Sequence, residues 1–588
     1  MASITIQPKD RHLTQYYRAI KELRAAQSQP SEGNMRRAFG ALLTGLGRRR
    51  KLTLIDEYST HGQGRRHIRP DGALVDEWKR PVAFWEAKDS SDNLFAEIEN
   101  KKAVGYPLDN IIFEDTVTAV LYQDGYEARR TAIREKKNFA ALLTQYFNYK
   151  EQARQSFNEA VQSYGEQIRD IASQLQAKIA AAHHDNPGFQ RKFGEFMEVC
   201  RRSLNPNISR EAIDEMLIQH LMTERIIRRV FDVEHFARTN VIAAKIEEVI
   251  DALTSAYFNR ADFMGGLRHF HQAIEDAAED LDFSDKQSFI NSVYEQFFQG
   301  YSVKVADTHG IVYTPQEVVD FMCSAVEETL AREFGLKLGD EGVILIDPAT
   351  GTGNFVINLL RRAHQRNLRN FERFYTERLF ANEVMLMPYY IASLNIEREY
   401  YELAGRAAPF AGLCFVDTLD LARERQMTFL TEANTERVER QKAADINVII
   451  GNPPYNVGQL NENDNNKNRK YDVVDGRIRE TYAKDSRATL KNQLYDAYVR
   501  FWRWATDRLG DRPGIVCYVS NNSFFDAYAF DGFRKRMLQD FDEVYHLDLG
   551  GNLRKSGVGE AVSNVFDIRV GVGITLAIRT RNEPGACP

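Results

Sequence analysis

The sequence predicts an α/β multidomain protein, and three observations predict it. Residues 291–588 alternate short apolar runs with helical stretches, as a doubly wound, Rossmann-like sheet does. Residues 1–125 open with a helical pattern and pass into the β-rich runs LVDEW, VAFWEAK, NIIFED and TAVLYQDG, with the helix-like NLFAEIENKKAVGY between the second and third. Residues 126–290 are helical in pattern almost throughout and read as a structural coupler. These stretches are taken as three domains.

Composition bounds what such a chain does. Its 588 residues are 43% hydrophobic and 27% charged, as in soluble globular proteins. No apolar run approaches the roughly 20 residues of a membrane span. Met1–Arg11 lacks the apolar core of a signal peptide, so a cytoplasmic location without membrane contact is expected. Cys200, Cys323, Cys414, Cys517 and Cys587 lie far apart with no C-x-x-C pair, which argues against a zinc cluster or a disulfide framework. The net charge of −6 suits a nucleic-acid enzyme only where basic residues cluster. Arg36, Arg37, Arg48, Arg49, Arg50, Lys51, Arg65 and Arg66 do crowd one region, and a solvated face is the alternative reading.

In the first domain, Pro70-Asp71 precedes Glu86-Ala87-Lys88 at the end of an apolar strand. Residues two apart in a strand share a face, so Glu86 and Lys88 point the same way. Asp71 and Glu86 can then share a Mg²⁺ ion, with Lys88 polarising the attacking water. Lys79-Arg80-Pro81 reads as the intervening hairpin turn, and Glu32, opening a helix, is a candidate further acid. By itself this pattern also fits a charged strand end. In the middle domain only Pro187 and Pro206 interrupt the helices, both in N-P contexts that read as turns.

The third domain carries the densest chemistry. The strand VILID runs into Pro348-Ala349-Thr350-Gly351-Thr352-Gly353 and then the helix NFVINLLRRAH. A strand, a glycine turn and a helix start cradle a nucleotide-like cofactor, and Asp347 can contact its amino-acid part. Such a loop alone also serves as a structural turn. RLFAN ends at Glu383, an acid placed for ribose hydroxyls, although the spacing from the glycines implies an insertion near His364–Tyr375. LCFV ends at Asp417, which can accept from an adenine amino group or simply cap a turn. After INVIIG comes Asn452-Pro453-Pro454-Tyr455. A nucleobase amino nitrogen is a poor nucleophile because its lone pair is delocalised into the ring. Two acceptors, the Asn452 side-chain oxygen and the Pro453 carbonyl, can take its hydrogens and push it towards tetrahedral geometry. The two prolines stiffen the loop, and Tyr455 offers a ring on which a flipped base stacks. The Asn-rich stretch around Gln459–Lys470 reads as part of a mobile loop, Gly458–Arg487, that approaches phosphates.

These motifs resemble the amino-methyltransferase family, with N-P-P-Y in its adenine-specific form. The resemblance implies S-adenosylmethionine as cofactor. It also implies that Gly310 and Tyr313-Thr314-Pro315 complete the cofactor pocket, lined further by Asp347, Ala349, Gly351, Gly353, Glu383 and Asp417, and that Ser520–Phe524 border the base pocket. Asp71, Glu86 and Lys88 resemble the PD-(D/E)xK restriction nucleases, which implies a restriction-endonuclease-like first domain using Mg²⁺. The coupler segments IDEMLIQHLMTERIIRRVF and NVIAAKIEEVIDALT, with VYEQFFQGYSVKVADTHGIVYTPQEVVDFM, resemble single-chain Type ISP restriction–modification enzymes. Two departures stand out. No G-x-x-x-x-G-K-[ST] phosphate loop occurs, so no use of ATP is expected. The chain also stops at Pro588, soon after VGVGITLAI, so target recognition falls to residues beyond this chain or to a separate specificity subunit. The expected partner is double-stranded DNA. Three alternatives remain: a methyltransferase with an inactive nuclease fold, a protein-glutamine methylase, and a non-catalytic DNA-binding fragment.

Overall fold

The structure is a computed structural model. It describes residues 4–26, 32–58, 60–61, 67–76, 80–88, 93–149, 171–204, 208–231, 240–257, 268–279, 286, 289, 314–422, 432–454, 470–550 and 571–580. The chain divides into two compact units. One holds Met1–Ile171, Arg225–Glu234 and Ala261–Tyr301; the other holds Ala172–Glu224, His235–Arg260 and Ser302–Pro588. The helical zone read as one coupler is therefore apportioned between both.

The first unit is built on a six-stranded sheet. Its strands in chain order are β1 (Thr53–Asp56), β4 (Gly72–Val75), β5 (Pro81–Ala87), β6 (Asn110–Glu114), β7 (Thr118–Gln123) and β8 (Tyr126–Ala132), which also lie side by side in that order. A two-stranded ribbon, β2 (Thr60–His61) with β3 (His67–Ile68), accompanies it. Only the β5–β6 pair is parallel, and the helix Leu94–Val104 makes the crossover between them. Along β5 the alternation of the pleat separates two cores. Ala83, Trp85 and Ala87 face the helices Arg11–Ala26, Glu32–Gly47 and Lys136–Phe147, while Phe84 joins Ile98 of the crossover helix on the other face. Glu86 therefore emerges on the crossover-helix face.

The sheet does not stop at residue 125, where the sequence pattern placed the boundary. β8 follows, and Phe139, Leu142 and Leu143 of the next helix complete the same core. β8 is an edge strand, YEARRTA, exposed over its first five residues. Without a buried face it shows no apolar alternation, so its period is invisible in sequence.

The second unit carries a seven-stranded sheet. Its strands are β9 (Leu345–Asp347), β10 (Leu379–Glu383), β11 (Leu413–Phe415), β12 (Val448–Gly451), β13 (Gly514–Asn521), β14 (Glu543–Asp548) and β15 (Val572–Arg579), in spatial order β11-β10-β9-β12-β13-β15-β14. The first five run parallel, and β15 lies antiparallel between β13 and β14. Strand order reverses between β9 and β12, so a crevice is expected beyond their carboxyl ends. The extra residues between the glycine loop and β10 form short helical turns over Leu368–Arg378. Asn186 caps the helix Pro187–Ser203, with the proline at its first position, so this N-P pair opens a helix. Pro206 lies outside the described residues.

One sequence expectation fails here. The loop expected to run to Arg487 gives way to a helix, Asp472–Ile478, continuing through Ala483. Val474, Ile478 and Tyr482 are buried at four-residue spacing, which the surrounding polar residues mask in sequence. Arg477 is held by Asp507 at 3.0 Å. Lys467 and Arg469 fall outside the described residues. Among those described, no helix is long and apolar enough to cross a membrane.

Candidate active site

β9 delivers Asp347, fully buried, to the switch point of the second sheet. Burial pushes its carboxyl up to about 7, against a hydrogen bond that Oδ1 accepts from Ala349 N at 3.1 Å. The backbone then turns through Gly351 (φ 56°) and Gly353 (φ 97°), the latter starting the helix Asn354–Arg366. A Cβ at Gly353 would also stand 3.2 Å from Ile396. Both glycines adopt the left-handed region that other residues rarely enter.

Glu383 ends β10. Burial raises its carboxyl to about 7, although three amides donate to it: Gly351 N at 2.9 Å, Val384 N at 2.9 Å and Met385 N at 2.7 Å. The predicted acid and the predicted glycine loop are thus in direct contact. Asp417, just past β11, accepts from Leu419 N at 3.0 Å and from the Tyr471 hydroxyl at 2.9 Å. Thr418 Oγ1 donates to Pro348 O at 2.6 Å, Asn382 Nδ2 donates to Thr418 Oγ1 at 3.0 Å, and Gln441 Nε2 donates to Asn382 Oδ1 at 2.7 Å. This buried network ties together the ends of β9, β10 and β11.

β12 delivers Asn452 on the other side of the switch point. At Gly451 before it, a Cβ would lie 2.7 Å from Asp347 Oδ1, so any side chain would force Asp347 to shift. Asn452 Nδ2 donates to Thr314 Oγ1 at 3.0 Å, while Asn452 Oδ1 is buried with no hydrogen-bond partner among the described residues. Pro315 caps the helix Gln316–Phe334 and so fixes Thr314. Pro453 is buried and Pro454 partly so. Ser520 and Asn521 are buried at the end of β13, the neighbour of β12. Gly310, Tyr313 and Tyr455 lie outside the described residues.

The first unit brings a second set together. Asp71 N donates to Glu86 Oε2 at 3.1 Å, and Asp71 Oδ2 accepts from Ala87 N at 2.8 Å. Asp71 Oδ1 meets Arg36 at 3.0 Å, and Glu86 Oε1 meets Lys101 Nζ at 2.6 Å. Burial, then the Asp71 charge, raises the Glu86 carboxyl. Lys88 Nζ lies 3.1 Å from Glu97, an acid that Lys101 approaches to 3.9 Å. The side chain of Glu32 and the turn residue Lys79 are outside the described set. Two acids meet here, and no group of three metal-ligating side chains occurs among the described residues.

Sequence reasoning missed Tyr471, Thr418, Gln441, Gly451 and Lys101. A faint signal existed only for Lys101, four residues after Glu97 on one helix.

Residues 160–286 match the coupler domain of Type ISP restriction–modification enzymes, and residues 285–488 match the N-6 DNA methylase family. Among solved structures, DrdV in a cryoEM complex with DNA is 37% identical over 99% of this chain and 56% of its own, with a TM-score of 0.70. A nuclease-deletion mutant of the Type ISP enzyme LlaGI, bound to a DNA substrate mimic, is 31% identical over 71% of this chain and 34% of its own (TM-score 0.64). The ATP-dependent Type ISP enzyme LlaBIII bound to DNA is 30% identical over 76% of this chain and 30% of its own (TM-score 0.66). The chain thus spans little more than half the length of the first and about a third of the others. No curated protein matches it. On those matches the chain joins a Type ISP coupler domain to an N6-adenine DNA methyltransferase domain and is a Type ISP-like restriction–modification protein.

Proposed function

We propose that the chain methylates the amino nitrogen of adenine in double-stranded DNA with S-adenosylmethionine, and that its first domain is a Mg²⁺-dependent endonuclease. The observation that carries the methyl-transfer reading is Asn452 Oδ1, a buried acceptor without a partner among the described residues, while Nδ2 of the same amide is fixed on Thr314. An unmet buried acceptor costs about 1–3 kcal/mol, which a substrate N–H would recover. The cofactor supplies an electrophilic methyl group on its sulfonium. Gly351 and Gly353 let it approach the backbone, Glu383 takes its ribose hydroxyls, Asp347 lies towards its amino-acid part and Asp417 towards its adenine. Tyr313, Thr314, Pro315 and Ala349 complete the pocket. Asn452 Oδ1 and the Pro453 carbonyl draw the amino hydrogens, and Tyr455 stacks on the base. Tritiated cofactor with duplex DNA, followed by nucleoside digestion, tests this: label belongs in N6-methyladenine, and label in cytosine or in protein would overturn it.

For the nuclease, Asp71 and Glu86 offer two hard carboxylates tied into one backbone network, Asp71 N donating to Glu86 Oε2 and Ala87 N to Asp71 Oδ2, and each keeps lone pairs beyond these bonds. They would hold the ion, and Lys88 would add positive charge beside the phosphate. No ATP is required in this reading, because the sequence has no phosphate loop. The first domain then reaches the helix Lys136–Phe147, the coupler follows to residue 290 and the methyltransferase spans 291–588. A separate specificity subunit is the further partner this reading allows. An inactive nuclease fold is the second reading, favoured by Arg36 and Lys101, which already neutralise both acids. Mn²⁺ titration by electron paramagnetic resonance separates the two: an active site binds the ion and loses it in Glu86→Ala, whereas an inactive one never binds it.

A further inference from the structure

His220 is wholly inaccessible to solvent, yet both ring nitrogens are engaged. Nδ1 lies 2.9 Å from the Tyr390 hydroxyl, and Nε2 lies 2.8 Å from Glu247 Oε1. The three residues belong to the second unit and stand on three helices: Arg210–Val230, Leu386–Ala404 and Val241–Tyr257. A carboxylate only accepts, so Nε2 carries the proton, and in the neutral ring Nδ1 takes the Tyr390 hydrogen. An apolar side chain would fill this space without the cost of burying a polar ring. The arrangement therefore calls for a role beyond packing.

Its position supplies one. Tyr390 lies in the opening turns of Leu386–Ala404, and the residues leading into that helix, Val384 and Met385, donate the two amides that hold Glu383 Oε1. One turn beyond His220, the Thr223 hydroxyl stands 3.0 Å from Met387 Sδ. His220 and Thr223 are three apart, as are Met387 and Tyr390, so one face of the coupler helix grips one face of the other helix start. We propose that His220 is a positioning residue for the cofactor: through Tyr390 it fixes the helix start whose amides aim the Glu383 carboxylate. The inference rests on the reading that Glu383 holds the cofactor.

The test is calorimetric titration of the full chain with S-adenosylmethionine. Tyr390→Phe removes a single oxygen, and with His220→Phe it should weaken binding about five- to tenfold, the scale of one lost buried hydrogen bond. His220→Asn places an amide near Nδ1, keeps the Tyr390 bond and should bind as wild type does. His220→Gln reaches the Nε2 position instead and should bind weakly. In steady state, KM for the cofactor should rise while KM for DNA stays fixed. Wild-type affinity in Tyr390→Phe, or equal losses for cofactor and DNA, would overturn the inference. A Glu383→Ala variant run alongside separates the two failures. If it too binds normally, the cofactor reading falls; if it alone is weakened, only the role of His220 does.

Discussion

Asp347 and Glu383 are acids that the fold buries at some cost, and the sign of that cost is measurable. Burial raises Asp347 from 3.8 to about 7, so between those pH values the folded state holds a proton that the unfolded state has lost. Stability from this group therefore falls as pH rises through that window. Asp347→Asn can keep the bond from Ala349 without the charge. Its melting temperature should exceed that of wild type at pH 8, and the gap should shrink towards pH 5; a gap independent of pH would contradict the assignment. Glu383→Ala should weaken S-adenosylmethionine by about 1–3 kcal/mol, as loss of a charged hydrogen bond does, read by calorimetry. Gly451→Ala would force a Cβ to 2.7 Å from Asp347 Oδ1 and should destabilise the domain by about 1–3 kcal/mol in denaturant unfolding. An unchanged midpoint would show that β12 and Asp347 are not packed this way.

At the scale of elements, what is legible depends on how far apart the partners lie. Asn452-Pro453-Pro454 stands out in the sequence because the proposed chemistry would fix residue types at consecutive positions. Glu383 stands out in the sequence because it is an acid at a strand end after a glycine loop, and in the structure Gly351 N of that loop donates to its carboxylate. Tyr471 on Asp417 is not readable, because its partner lies 54 residues away with no periodicity to announce it. Nor is β8, whose exposed edge position removes the alternation that marks a strand. The helix Asp472–Ile478 is concealed by polar composition even though three buried residues anchor it. Tyr471→Phe should accordingly test the Asp417 pairing: if Asp417 serves the cofactor adenine, loss of its partner should change cofactor affinity while leaving the fold intact by circular dichroism. Unaltered binding would make Asp417 a turn residue after all.

At the scale of the whole molecule, the two proposed sites belong to different compact units. Asp71, Glu86 and Lys88 belong to the first, and the glycine loop, Glu383 and Asn452 to the second. Glu86→Ala and Lys88→Ala should therefore leave methylation at the wild-type rate, and Lys88→Ala should slow cleavage while sparing metal binding. Cleavage assays belong at low salt, where non-specific phosphate contacts are strongest. The central claim concerns the second unit, and its most direct test is Asn452→Ala with labelled cofactor and duplex DNA. In this reading Asn452 Oδ1, without a partner among the described residues, meets the target base. Methyl transfer should be abolished while calorimetry finds cofactor affinity within a few-fold of wild type, because a lost substrate hydrogen bond leaves the glycine loop untouched. Methyl transfer at the wild-type rate by the variant would contradict the account.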